Sequence, residues 1–107
     1  MILFSKGGGT RQLLDLVSSL KAKMVTLVTV TEDMGSPLAR ESDLVIKVKV
    51  GREADAFNML ATTSTMAVVS VFDAVCIALM EHTGYTRKQF AVNHPHGAVG
   101  ERLTGKR

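Results

Sequence analysis

A chain of 107 residues with 46% hydrophobic and 21% charged side chains has room for one small core, and that apolar share with a scarcity of proline (two residues) argues against a disordered tether. The formal net charge of +3 comes from basic residues spread along the chain in short clusters at Lys21/Lys23, Lys47/Lys49 and Lys106-Arg107. No aromatic residues interleave with them to stack bases, so they read as solvated surface charges and no nucleic-acid partner is expected.

Met1 to Phe4 is a short apolar strand. Ser5-Lys6-Gly7-Gly8-Gly9-Thr10 follows as a glycine-rich loop, and Thr10 to Leu20 then sets Leu13, Leu14, Val17 and Leu20 on one helical face with Thr10 as N-cap. A glycine loop between strand and helix suits phosphate, because backbone amides and the positive end of the helix can face an anion together. The spacing is neither that of a dinucleotide fingerprint nor that of a P-loop, and a plain strand-to-helix turn is the alternative. Three successive glycines exceed what a turn needs, and hydroxyls flank them at Ser5 and Thr10, which favours the cradle.

Met24 to Val30 reads as a second strand, ended by Glu32-Asp33-Met34-Gly35. Ser36-Pro37-Leu38-Ala39 is a short helix with Ser36 as cap and Pro37 in its first turn. Leu44 to Val50 alternates branched apolar residues with lysine, predicting a third strand with one wet side near a sheet edge. Strands alternating with helices give α/β layering on a parallel sheet.

Gly51 to Leu60 has no clear period and reads as a loop or irregular helix. Thr62-Thr63-Ser64-Thr65 caps a helix that runs to about Thr83 and is closed by Gly84. Its apolar run, Met66 to Met80, is interrupted by Ser70 and Asp73. At roughly 15 residues it falls short of the ~20 that span a bilayer, so a buried core helix is expected, covered by the sheet and by a second subunit, with no membrane partner. Thr86 to Val92 and Gly97 to Leu103 are two further short helices, and Thr104-Gly105-Lys106-Arg107 is a polar tail. The whole of 1–107 is expected to form one domain.

The single cysteine, Cys76, cannot form an internal disulfide. It reads as a small buried hydrophobe in a reducing, cytoplasmic setting, and no secretory leader is expected. Asp73 inside the apolar run requires a structural hydrogen bond or an interface. Glu53, beside Arg52 and near Asp55, is an acid/base candidate and equally a plain surface carboxylate. In His94-Pro95-His96-Gly97 one imidazole is suited to acid/base work and the other to the surface. Without a third ligand close by, the His-x-His spacing does not argue for a metal, and no cofactor is expected. His82 suits the C-terminal end of its helix.

In order along the chain, Ser5 to Thr10, Ser36 to Ala39, Arg52-Glu53-Ala54, Ala61 to Thr65, Phe72-Asp73-Ala74, Gly84-Tyr85-Thr86 and His94-Pro95-His96-Gly97-Ala98-Val99-Gly100 resemble the motifs of sugar isomerase (SIS) domains, above all the arabinose-5-phosphate isomerase branch. The resemblance covers nearly the whole chain. It implies the C-terminal half of a flavodoxin-like three-layer α/β sandwich with a parallel sheet, acting on a phosphorylated sugar by aldose-ketose isomerisation, in a homodimer or homotetramer with sites between subunits. It also implies that Ser5, Lys6, Gly7, Gly8 and Thr10 hold phosphate and that Glu53 and His94 belong to the catalytic set.

Three departures shift the expectation from catalyst toward a phosphosugar-sensing or oligomerisation module. Gly7 lacks a hydroxyl usual in that loop, and Gly9 stands where the isomerases carry an acidic residue. His96 replaces a usual glycine. The elements that precede the loop in the family, with a catalytic lysine, are expected upstream of Met1.

Overall fold

The computed structural model describes residues 1–105, and the final Lys106-Arg107 of the polar tail lies outside them. The chain divides into two compact units, residues 1–69 and the residues from Ser70 onward.

In the first unit, β1 (Ile2–Phe4), β2 (Val28–Thr31) and β3 (Leu44–Lys47) form a parallel sheet in the order β1-β2-β3, flanked by helices. The register pairs Phe4 with Val30 and Val30 with Ile46. Helix α1 (Arg11–Ala22) lies between β1 and β2, and α2 (Pro37–Glu41) between β2 and β3, as parallel pairing requires of its crossovers. The core is Leu3, Val17, Leu27 and Leu38, with Leu13, Leu14, Leu20 and Val25 packed around it, so the 3–4 spacing in α1 is the face turned inward. Leu38 is fully buried, which contributes roughly 1.5–3 kcal/mol. Ser36 accepts from the Ala39 amide, and Pro37 opens α2 as its sequence anticipates.

Two strands are shorter than their apolar runs. The Met24 and Val25 amides still donate to Lys21 and Leu20 carbonyls at the end of α1, and Met24 turns with φ 54° and stands 92% exposed, so β2 begins only at Val28. Beyond Lys47 the pairing of β3 ends after one bond from the Val48 amide to the Thr31 carbonyl. The third strand lies at the sheet edge, as its lysine alternation implies.

Helix α3 (Thr63–His82) begins in the first unit and continues into the second. A buried core helix was expected, and the structure corrects that: none of its residues is buried, and Met66, Ile77 and Leu79 are exposed. At 20 residues it is longer than its apolar run, and by length and composition alone it could cross a membrane. Cys76 is likewise exposed rather than buried, and the Asp73 side chain is exposed with no hydrogen bond or ion pair among the described residues. Both corrections have one cause: among the described residues too little protein lies against α3 to cover it.

In the second unit, α3 closes with the Tyr85 amide on the Met80 carbonyl and the Gly84 amide on Glu81, the paired bonds of a glycine-terminated helix. Helix α4 (Arg87–Asn93) is opened by a Thr86–Gln89 capping box. Helix α5 (Gly97–Thr104) comes so close to the preceding loop that a Cβ on Gly100 would lie 2.7 Å from the His94 carbonyl oxygen.

In the glycine loop, only Gly8 is demanded by the fold. It has φ +64°, and a Cβ there would sit 2.0 Å from Ser36 Oγ, whereas a Cβ on Gly7 or Gly9 would meet nothing within 4 Å. Gly8→Ala is expected to destabilise the chain by about 1–3 kcal/mol, read from urea melts, with Gly7→Ala and Gly9→Ala neutral. Equal losses at all three positions would contradict this assignment.

Candidate functional site

Parallel α/β sheets offer ligands the carboxyl ends of their strands, and the glycine loop leaves β1 at that end. Its shape is fixed from β2 and α2. The Lys6 carbonyl accepts from Thr31 Oγ1 (2.8 Å) and the Glu32 amide (2.9 Å), and the Gly8 carbonyl accepts from the Leu38 amide (3.0 Å). Inside the loop, the Gly8 amide donates to the Ser5 carbonyl, and the hydroxyls of Ser5 and Thr10 share a hydrogen bond of 2.7 Å. Thr10 occupies the N-cap position of α1 but makes no side-chain cap, its hydroxyl being engaged with Ser5. The amides of Gly7, Gly9 and Thr10 and those of the first turn, Arg11 and Gln12, have no protein acceptor among the described residues. Five such donors around two hydroxyls suit the oxygens of an anion.

Lys6 extends from this loop to Glu53, its Nζ 2.7 Å from Oε1. The Glu53 side chain is fully buried, while that of Lys6 is 40% exposed. The other carboxylate oxygen, Oε2, accepts from the Thr62 amide (3.0 Å), the Thr62 hydroxyl (3.2 Å) and the Ser64 amide (3.1 Å). Thr62 and Ser64 were recognisable as residues of a helix start. In the structure their amides at the start of α3 are satisfied by Glu53, a carboxylate from outside the helix where the dipole favours negative charge.

A turn holds Glu53 in place. Asn58, itself at φ 59°, accepts the Glu53 amide on Oδ1 at 2.6 Å, and Asp55 accepts the amides of Phe57, Met59 and Leu60. The Lys6 hydrogen bond, with those from Ser64 and Thr62, holds the Glu53 carboxyl well below its ordinary value of 4.5 despite burial. The same bond raises Lys6 above 10.5. Both groups are therefore charged across the neutral range.

Of the residues expected at the site, Ser5, Lys6, Gly7, Gly8, Thr10 and Glu53 all lie in the first unit, and the structure joins Lys6 to Glu53 directly. A cavity of about 310 Å³ lies beside them, with Ser5, Lys6 and Ser64 among its polar lining and Phe4, Val30 and Val68 among its apolar walls.

His94 lies in the second unit, exposed, where it ends α4. Its ring stacks on Phe90 with centroids 4.4 Å apart, and Nδ1 is 3.3 Å from the Phe90 carbonyl oxygen. With the proton on Nδ1, that carbonyl is the acceptor and Nε2 is left to take a proton. His96 is exposed at the start of α5 and makes no side-chain cap. Among the described residues no group of three or more His, Cys, Asp or Glu side chains gathers as a metal site.

Sequence reasoning missed Thr31, Ser36, Asn58 and the Thr62 and Ser64 amides as parts of this site. Ser36 and Thr62 were legible as caps. The other contacts depend on chain segments meeting in space.

The SIS domain family model matches residues 1–87. The chain is 36% identical over 103 residues to the arabinose 5-phosphate isomerase KdsD of Pseudomonas aeruginosa and 35% identical over 103 residues to the arabinose 5-phosphate isomerase GutQ of Salmonella typhimurium. Each match covers 96% of this chain and 32% of the relative, so the chain spans about a third of the length of those curated relatives. Among solved structures, a Listeria monocytogenes protein is similar at 52% identity and a TM-score of 0.86, covering 89% of this chain and 50% of that one. The E. coli CFT073 protein c3406, solved in complex with arabinose 5-phosphate, is similar at 36% identity and a TM-score of 0.84, covering 88% and 50%.

The depressed Glu53 carboxyl sets a pH dependence. A group whose folded value lies below its unfolded value adds stability in full above the unfolded value, here 4.5, and loses it as pH falls toward the folded one. Urea midpoints measured from pH 7 downward should fall below 4.5 in the parent chain, and less steeply in Glu53→Gln. Glu41 and Asp55, also lowered, leave a residual slope in both. An acid limb of unchanged steepness in Glu53→Gln would refute the assignment.

Proposed function

The chain belongs to the SIS domain family, and on that premise we propose that it binds a phosphorylated sugar, with the phosphate on the Ser5 to Thr10 loop. The observation that carries this is the set of unpaired amides at Gly7, Gly9, Thr10 and the first turn of α1 beside the Ser5 and Thr10 hydroxyls, at the carboxyl end of a parallel strand. The similar E. coli protein solved with arabinose 5-phosphate supports a pentose phosphate as the ligand to try first.

Aldose-ketose isomerisation is the reaction proposed for a longer protein that carries the rest of the domain. It moves a proton between adjacent carbons through an enediol, and it needs a proton carrier and donors for the oxyanion. His94, with Nε2 open, is assigned the proton transfer. Glu53, whose charged form is held by four donated hydrogen bonds, serves the catalytic set as a fixed anion. Gly9, standing where the resembling isomerases carry an acidic group, makes binding the stronger property of this particular chain.

Assembly with further copies is proposed from the exposed apolar surface of α3. A cytoplasmic setting is proposed as well, where the exposed Cys76 thiol would stay reduced.

Titration calorimetry with arabinose 5-phosphate should show saturable binding, weakened about tenfold or more when Ser5→Ala and Thr10→Ala are combined. No heat of binding in the parent chain would remove the proposed function. Light scattering should give the mass of two or more copies, and a well-behaved monomer would contradict assembly.

A further inference from the structure

Lys6 and the loop amides serve different parts of the ligand. The amides of Gly7, Gly9 and Thr10 and the Ser5–Thr10 hydroxyl pair form the anion cradle. The ammonium of Lys6 is held by Glu53, which in turn is anchored on Thr62 and Ser64, and Lys6 lines the cavity together with Ser64. Glu53 Oε1 accepts a hydrogen bond from one of the three ammonium N–H groups, and 40% of the lysine side chain stays accessible. Phe4, Val30 and Val68 in the cavity walls lower the local dielectric, so a hydrogen bond from the cation is stronger there than in water.

We propose that Lys6 donates to a carbonyl or hydroxyl oxygen in the sugar portion of the ligand, not to its phosphate, and that Glu53 is the positioning residue that aims it. The proposal rests on the phosphosugar reading and deepens it. In the isomerisation, the oxygen beside the carbon that loses its proton becomes negatively charged, and the Lys6 cation stabilises it. No atom passes to or from the lysine, which keeps its protons throughout. The charges that act on the ammonium are Glu53, in contact, and Glu32 and Asp55 at longer range, all of which favour the cation. As a docked anchor, Glu53 has no oxygen left without a donor, which suits aiming better than carrying a proton.

The test compares two probes, arabinose 5-phosphate and inorganic phosphate, by titration calorimetry on the parent chain and on Lys6→Gln, Lys6→Arg and Glu53→Gln. A hydrogen bond from a charged donor is worth about a tenfold change or more in affinity. Lys6→Gln should therefore weaken arabinose 5-phosphate about tenfold and leave inorganic phosphate within about twofold, and Lys6→Arg should recover part of the loss. Glu53→Gln should show the same selective loss, whereas a merely structural role would weaken both probes together. If Glu53→Gln does not fold, as judged by circular dichroism, the two Lys6 variants decide the question, since Lys6 is half exposed. Equal loss of both probes in Lys6→Gln would make Lys6 a phosphate ligand and overturn the proposal, as would no loss of either. A parent chain that binds neither probe would instead overturn the phosphosugar reading itself, and this inference with it.

Discussion

A fully buried carboxylate sits where three segments of this chain meet, and the rest of the first unit is arranged to satisfy it. An unpaired charge in that position would cost several kcal/mol. Glu53 is matched by Lys6 from the β1 loop and by the amides and hydroxyl at the start of α3, while its own amide is held by Asn58. These partners lie from 5 to 47 residues away along the chain. Its side chain thus ties the glycine loop to the start of α3, while its backbone amide is held by the turn at Asp55 to Asn58. Such an anchor specifies geometry more than it adds net stability, because the desolvation of both charges offsets much of their attraction.

The glycine loop divides its labour in the same economical way. Gly8 serves the fold: its backbone lies against Ser36, and its carbonyl accepts from the Leu38 amide in the first turn of α2. Gly7 and Gly9 serve no packing need. With no side chain on either, the amides around them can be approached closely, which a hydroxyl or an acid at those positions would limit. The loop can therefore present backbone donors at these two positions without side chains. Main-chain donors beside the Ser5 and Thr10 hydroxyls suit an anion but supply no acid or base.

Most of the element order was legible because its signals are local. Ser36-Pro37, the Thr86 and Gln89 box and Gly84 each act within a few residues of themselves, and the leucines of α1 state their periodicity in one helix. Strand ends were less legible, since Met24 to Leu27 and Val48 to Val50 are as apolar as the strands they adjoin. Only the reach of α1 and the end of pairing with β2 remove them from the sheet. At the site, Ser5 to Thr10 could be read as a cradle from composition. Glu53 could not be distinguished from a surface carboxylate, because its burial comes from partners that no local pattern announces. The thiol of Cys76 was misplaced for a related reason: an apolar helix reports that it will be covered, not that the cover lies in the same chain.

The pattern on α3 indicates what kind of cover that is. Ala67, Val68, Val71 and Phe72 are half-buried and share one arc of the helix. Met66, Val69, Ile77 and Met80 are exposed and fall, with Asp73 among them, along another stripe at spacings of three and four. Lipid offers nothing to a carboxylate at the middle of a span, and a charge there is costly. A helix–helix seam tolerates one polar group and can use it to fix register and partner number. The helix also begins on Glu53, inside a folded α/β unit, so its first turn is already committed to protein. A stripe with 3–4 spacing, methionines that adapt to an opposing surface and a single central carboxylate together fit a protein partner better than a bilayer. A protein partner seated on that stripe, as proposed above, would turn an apolar helix exposed in one chain into the interior helix its sequence describes.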